Sequence, residues 1–213
     1  MSPGIQLPRV YPIIDAAQFS STGSLEPVLC FAEQLIQAGA TLIQYRDKSQ
    51  NIRHMLSCAR ELRRVTRGRV RFIINDRTDI CLAAEADGVH LGQDDLSPQA
   101  AHRMFAEARK PLWIGISTHN PEQLREASTL PVDYLAVGPV FATTAKANPD
   151  PVIGLEGVRQ ARAITNKPLV AIGGITRVNC REVIEAGADS VAVITDLLDS
   201  PAKAFEDFIR ILG

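Results

Sequence analysis

A single (β/α)8 TIM barrel, spanning residues 1–213, is the fold this sequence predicts, and three observations predict it. Short β-branched apolar runs recur eight times, helix-like segments lie between them, and the whole rhythm fits within 213 residues. Alternating strand and helix implies a parallel sheet. Eight such units in a chain of this size match a compact closed barrel. An open doubly wound sheet is the competitor, but the first strand is not followed by a GxGxxG turn, and a count of eight suits closure.

The first run, RVYPIID at 9–15, precedes SLEPVLCFAEQLIQAG, which sets Leu25, Val28, Leu29, Ala32, Leu35 and Ile36 on one helical face and stops at Gly39. TLIQYRD at 41–47 is the second strand, and the helix NIRHMLSCARELRRVTRG after it turns its basic residues outward and stops at Gly68. RFIIND at 71–76 leads into a short segment at 79–86, and GVHLG at 88–92 is the fourth strand. SPQAAHRMFAEARK opens with serine then proline, a sound helix start. The remaining strands are LWIGIST at 112–118, YLAVGPV at 134–140, PLVAIGG at 168–174 and SVAVIT at 190–195. TRVNCREVIEAGADS and SPAKAFEDFIRILG supply the last helices. Runs so uniformly apolar suit strands covered on both faces.

Composition excludes several classes. A net charge of −1 gives no basic field for nucleic acid or an acidic membrane surface, so any phosphate site must be local. No apolar run reaches the length of a membrane span, and MSPGIQLPRV lacks the layout of a secretory signal. Cys30, Cys58, Cys81 and Cys180 form no metal or CxxC spacing and are expected to be buried small apolar residues in a reducing cytoplasm.

A barrel carries its active site at the C-terminal strand ends. In QYRDK, alternation aims Gln44, Arg46 and Lys48 into the mouth, an amide and two cations suited to an anion. Strands three and four end in NDR and HLGQDD, which gathers Asn75, Asp76, Asp94 and Asp95. Carboxylates converging without cysteine or histidine favour a hard cation such as magnesium. His90 lies inside its strand and reads as a packed side chain. Ser117 and His119 share one side of the chain in GISTHN, with no hydrolase triad around them. AIGGIT and VIT end the last two strands, with a helix expected to begin near Thr176, where barrels commonly hold phosphate. GPVFATTAK then offers Thr143, Thr144 and Lys146 as donors to an oxyanion, and the stretch to Ile153 reads as a flap. Two phosphorylated ligands meeting over one mouth suggest a transferase.

In QYRDK, NDR, GVHLGQDD, GISTHN, GPVF and AIGGI, taken in this order, the chain resembles the thiamine phosphate synthase (thiamine-phosphate pyrophosphorylase) family along nearly its whole length. The resemblance implies condensation of hydroxymethylpyrimidine diphosphate with a thiazole phosphate, releasing pyrophosphate. It assigns Gln44, Arg46, Lys48 and Asn75 to the pyrimidine diphosphate, and Asp76 and Asp95 to magnesium. Ser117, Thr143 and Lys146 fall to diphosphate or flap, and Gly174, Ile194 and Thr195 to the thiazole phosphate. Arg46, Lys48, Ser117 and Lys146 are the expected catalytic groups. In the flap, Ala142 and Ala145 depart from the family's usual proline and threonine, and Thr195 replaces a serine while keeping the hydroxyl. The expected partners are the two small substrates, with a homo-oligomer allowed and neither nucleic acid nor membrane. Two rival readings share these motifs: a thiazole tautomerase, with His119 as acid–base group, and a non-catalytic binder of phosphorylated ligands.

Overall fold

The computed structural model describes residues 5–19, 24–143 and 150–213. Strands β1 (Val10–Asp15), β2 (Leu42–Arg46), β3 (Arg71–Asn75) and β4 (Gly88–Leu91) are followed by β5 (Trp113–Thr118), β6 (Tyr134–Val137), β7 (Leu169–Ile172) and β8 (Ser190–Val193). All pair in parallel in chain order, and β8 returns to β1, closing the barrel. Around it run α1 (Glu26–Gln37), α2 (Ile52–Thr66), α3 (Thr78–Ala83), α4 (Pro98–Glu107), α5 (Pro121–Thr129), α6 (Gly154–Ile164), α7 (Cys180–Glu185) and α8 (Pro201–Leu212). The expected fold class is therefore observed. Helices α5 and α6 are additions to the sequence reading.

Local chemistry explains most boundaries. Asn51, Ser97 and Asn120 cap α2, α4 and α5 by accepting from the amides of His54, Ala100 and Gln123. Strand β6 stops before Pro139, which has no N–H for the ladder. The seventh helix starts at Cys180 rather than near Thr176. Asn179 Oδ1 accepts the Thr176 amide at 2.8 Å, and that bond holds the intervening residues in a turn. On α1, Phe31 is buried while Leu25 and Leu29 are only partly covered. Phe31 meets Phe19 edge-on, ring centroids 5.3 Å apart, and this contact draws the buried stripe round the helix. Cys58, Cys81 and Cys180 are buried as expected, whereas Cys30 is exposed. Among the described residues, no helix is long and apolar enough to cross a membrane.

Alternation along the strands divides the core in two. Val10, Ile14, Ile43, Tyr45, Phe72 and Val89 face the helices, while Tyr11, Ile13, Leu42, Ile73, Tyr134 and Val170 fill the lumen. One small residue makes room for the largest lumen side chain. Gly115 is in register with His90 on one side and Tyr134 on the other. A Cβ on Gly115 would lie 2.1 Å from Tyr134 Cζ. Without it, the tyrosine ring passes over β5 and stacks on His90, centroids 5.5 Å apart.

The N-terminal rim carries a repeated device. Asp87, Asp133 and Asp189 each stand immediately before an even-numbered strand, and each carboxylate accepts a backbone N–H from the preceding odd one. Phe72 donates at 2.9 Å, Ile114 at 2.7 Å and Leu169 at 2.8 Å. Arg63 chelates Asp87 with two bonds of 2.7 and 2.9 Å, and Arg162 reaches Asp189 at 2.9 Å. These groups lie at the end of the barrel remote from the expected active site, where such bonding serves stability.

Candidate active site

Strand β2 delivers its side chains as alternation requires. Gln44 and Arg46 face the mouth, while Tyr45 turns outward and donates to Asp47 at 3.1 Å. In-register pairing sets Asp15 of β1 beside Arg46, and Nη1 meets Oδ2 at 2.6 Å. Asp15 is almost fully buried, so the guanidinium is held by a desolvated carboxylate. Just beyond the strand, Lys48 reaches Asp76 at 2.5 Å.

Asp76 adopts a left-handed backbone, φ 62°, a conformation aspartate tolerates better than most residues. Its amide donates to His90 O at 2.7 Å, which anchors this turn across the β3–β4 seam. The Asp76 carboxyl lies against Asp95, whose Oδ2 accepts the Gly92 amide at 2.7 Å. Burial first, then the hydrogen bond and charge of Asp95, push the Asp76 pKa up to about 6, with Lys48 opposing. Beside it, Asn75 Nδ2 is buried with no hydrogen-bond partner among the described residues. An orphaned donor in a cavity wall is costly to the free protein and suits a ligand acceptor. Strand β4 ends at Leu91, so alternation no longer applies, and Asp94 sits in a turn on the cavity wall.

Across the mouth, the β7 loop packs on the β6 loop. Gly174 has φ 64°, and a Cβ there would lie 2.4 Å from Ala142 O and 2.8 Å from Phe141 Cβ. The glycine is thus needed for close approach of the two loops as well as for any backbone contact with phosphate. Bonds from Val140 N to Ile172 O and from Phe141 N to Gly173 O, 2.9 and 3.0 Å, join the loops further. His119 donates from Nδ1 to Gly138 O at 2.7 Å and lies 3.5 Å from Asp150. That imidazole is tied to the same loop.

All of this encloses one cavity of about 460 Å³ at the C-terminal strand ends. Gln44, Arg46, Lys48, Asn75, Asp76 and Asp95 line one side. Ser117, Thr143, Gly174, Ile194 and Thr195 line the rest. Lys146, with Thr144 and Ala145, lies outside the described residues. The sequence reading missed Asp15, although the alternation that placed Arg46 would also have placed it. It missed Asp150 and Gln93, which lie in loops where no periodicity operates. It also missed a buried polar chain in the lumen. Gln44 Nε2 donates to Tyr11 Oη at 3.0 Å, and Tyr11 and Tyr134 hydroxyls lie 3.0 Å apart. Tyr134 Oη is 3.0 Å from His90 Nδ1, and His90 Nε2 is 2.9 Å from Ser117 Oγ. Burial pushes the His90 pKa down to about 4.

The geometry sets Arg46 and Lys48 on one side of the cavity and the close-packed β6 and β7 loops on the other, with a carboxylate pair in which the Asp76 pKa is pushed up to about 6. Comparison with known proteins agrees in kind. A family model described as thiamine monophosphate synthase matches residues 10–197. A thiamine-phosphate synthase from Koribacter versatilis is 52% identical over 212 residues, covering 100% of this chain and 99% of its own. One from Chloroflexus aurantiacus is 43% identical, covering 88% and 83%. Among solved structures, thiamine phosphate pyrophosphorylase from Pyrococcus furiosus superposes with a TM-score of 0.82 at 35% identity, covering 96% of this chain and 95% of that one.

Proposed function

The chain belongs to the thiamine monophosphate synthase family, a family of transferases, and from that membership we propose how its own residues carry out the transfer. The substrates are a hydroxymethylpyrimidine diphosphate and a thiazole phosphate, and the products are thiamine phosphate and pyrophosphate. The observation that carries this reading is the single cavity faced by Arg46 and Lys48 on one wall and by Gly174 and Thr195 on another. One wall suits a diphosphate and the other a monophosphate.

Asp76 and Asp95 fit a hard divalent cation. They are an all-oxygen pair in contact, Asp76 is held well above the usual carboxylate range, and only Lys48 offsets them. Magnesium held there supplies positive charge to diphosphate oxygens. Arg46, braced by buried Asp15, presents a fixed guanidinium to the leaving pyrophosphate. Lys48 is half-exposed and long, so it can turn from Asp76 to a diphosphate oxygen. Asn75 Nδ2 gains the acceptor it lacks.

In the reaction the carbon–oxygen bond to pyrophosphate breaks with its electron pair leaving on the phosphate oxygen. The electron-rich aminopyrimidine bears the benzyl-type cation, and the thiazole nitrogen donates its lone pair to form the new carbon–nitrogen bond. No proton need be removed, which accounts for a site of clamps rather than acid–base groups. The test is pyrophosphate release from the paired substrates with magnesium. Asp76→Ala and Asp95→Ala should each lower the rate on the order of 100-fold or more. Arg46→Ala should lower kcat as well as raise KM, since its contact strengthens as charge develops. Near-normal turnover by both aspartate variants at limiting magnesium removes the metal assignment.

A further inference from the structure

The polar chain at the cavity floor crosses the barrel, and its members sit on strands β2, β1, β6, β4 and β5 in that spatial order. Proton counting gives it a direction. Gln44 uses an Nε2 proton on Tyr11 Oη. Tyr11 is almost fully buried, so its single hydroxyl proton must find a partner, and the remaining neighbour the structure gives it is Tyr134 Oη. Tyr134 is fully buried in turn, and with one proton received it must place its own on His90 Nδ1. A ring nitrogen that accepts cannot also carry a proton, so the imidazole proton resides on Nε2 and points at Ser117 Oγ. Ser117 already receives that bond, and its own hydroxyl proton is left for the cavity it lines.

Resting on the transferase reading, we propose that His90, Tyr134 and Tyr11 are positioning residues: a one-way hydrogen-bond chain anchored on Gln44 that holds His90 as the Nε2–H tautomer and commits the Ser117 hydroxyl as a donor into the cavity. The opposite direction fails on the count with the Gln44 amide as placed. If His90 donated from Nδ1 to Tyr134, Tyr134 would donate to Tyr11, and the Tyr11 proton would meet Gln44 Nε2, itself a donor; that direction requires the amide turned over to present Oε1. A donor-only serine suits an oxyanion or a leaving diphosphate. A serine that gave its proton to His90 would turn lone pairs toward the same negative charge. Gly115 belongs to the device, since its missing Cβ is what lets Tyr134 reach His90 across β5.

The tautomer can be read without any substrate, which separates this proposal from the transferase assignment. Histidine-labelled full-length protein, examined by long-range proton–nitrogen NMR, should show His90 protonated at Nε2 and bare at Nδ1. Protonation at Nδ1 in the wild type overturns the proposal. Tyr134→Phe removes the donor to Nδ1 while keeping the ring, and should shift His90 toward the Nδ1–H form or a mixture. Its kcat for pyrophosphate release should fall about three- to tenfold, the effect of one misdirected hydrogen bond, with KM for the thiazole phosphate unchanged. An unaltered tautomer together with unaltered kcat in Tyr134→Phe also sinks the idea. Because Tyr134 helps fill the lumen, His90→Gln supplies a second check: its amide can donate from near the Nε2 position, so it should retain more activity than His90→Leu. Equal loss in the two variants would mean that the ring serves packing alone.

Discussion

At the mouth, a single side chain carries a pH dependence of its own. Asp76 has a pKa of about 6 in the folded protein, above the carboxylate norm it regains on unfolding. A raised pKa means the native state holds that proton more tightly, so this contribution to stability is full below the unfolded value and is lost as pH rises through about 6. Above that pH the metal-free protein carries a strained ionised pair. Asp76→Asn should therefore raise the metal-free melting temperature at pH 8, by roughly 1–3 kcal/mol of stability, and give little change near pH 4. The lost Lys48 contact does not reverse this, because that lysine is half-exposed and such pairs contribute little. His119 gives a contrasting expectation. Its Nδ1 is spent on Gly138 O, so His119→Ala should lower pyrophosphate release about tenfold or less, against the ~100- to 10,000-fold typical of a lost general acid or base. Thiazole isomerisation abolished by His119→Ala, with no pyrophosphate released by the wild type, would favour the tautomerase reading. Residues at strand ends were legible because alternation and fold together say where they point.

Among the elements, strands were more legible than the connections between them. A buried parallel strand writes itself as an apolar run, whereas α5 buries only Leu124 and Ala127, and α6 only Val158 and Ala161, too few to leave a clear stripe. The expected start of α7 near Thr176 is instead a capped turn, in which Asn179 Oδ1 accepts the Thr176 amide, and the helix proper follows from Cys180. The lumen was illegible for another reason. Tyr11, His90 and Tyr134 meet only after the barrel closes, and no spacing within one strand announces a contact that skips a strand. Gly115→Ala tests that packing. A methyl at 2.1 Å from Tyr134 Cζ cannot be accommodated without moving the ring, so the variant should lose about 1–3 kcal/mol or more in denaturant unfolding. Its kcat should fall as the chain to Ser117 breaks.

For the molecule as a whole, eight-fold alternation was sufficient to anticipate closure, since no edge remains once β8 meets β1. Stability and activity are then assigned to opposite ends. The aspartates of the N-terminal rim bond backbone and arginine far from the cavity, so Asp87→Ala should cost about 1–3 kcal/mol while leaving kcat and KM for pyrophosphate release unchanged. A change in KM would show that the two ends are coupled through the barrel wall. Those same aspartates also impose a grain on the barrel. Each carboxylate ties an odd strand to the even strand after it. Their carboxylates thus mark off three two-strand cassettes, β3–β4, β5–β6 and β7–β8, with seams between them held by the backbone ladder and by other side chains, such as Lys167 donating to Leu130 O and Val132 O. A break in the chain between α4 and β5 runs along a seam and leaves every cassette whole, whereas a break between α3 and β4 divides one. Fragments cut along the seam are the pair that should recombine into a working barrel, and a cassette is the natural piece to exchange between related chains.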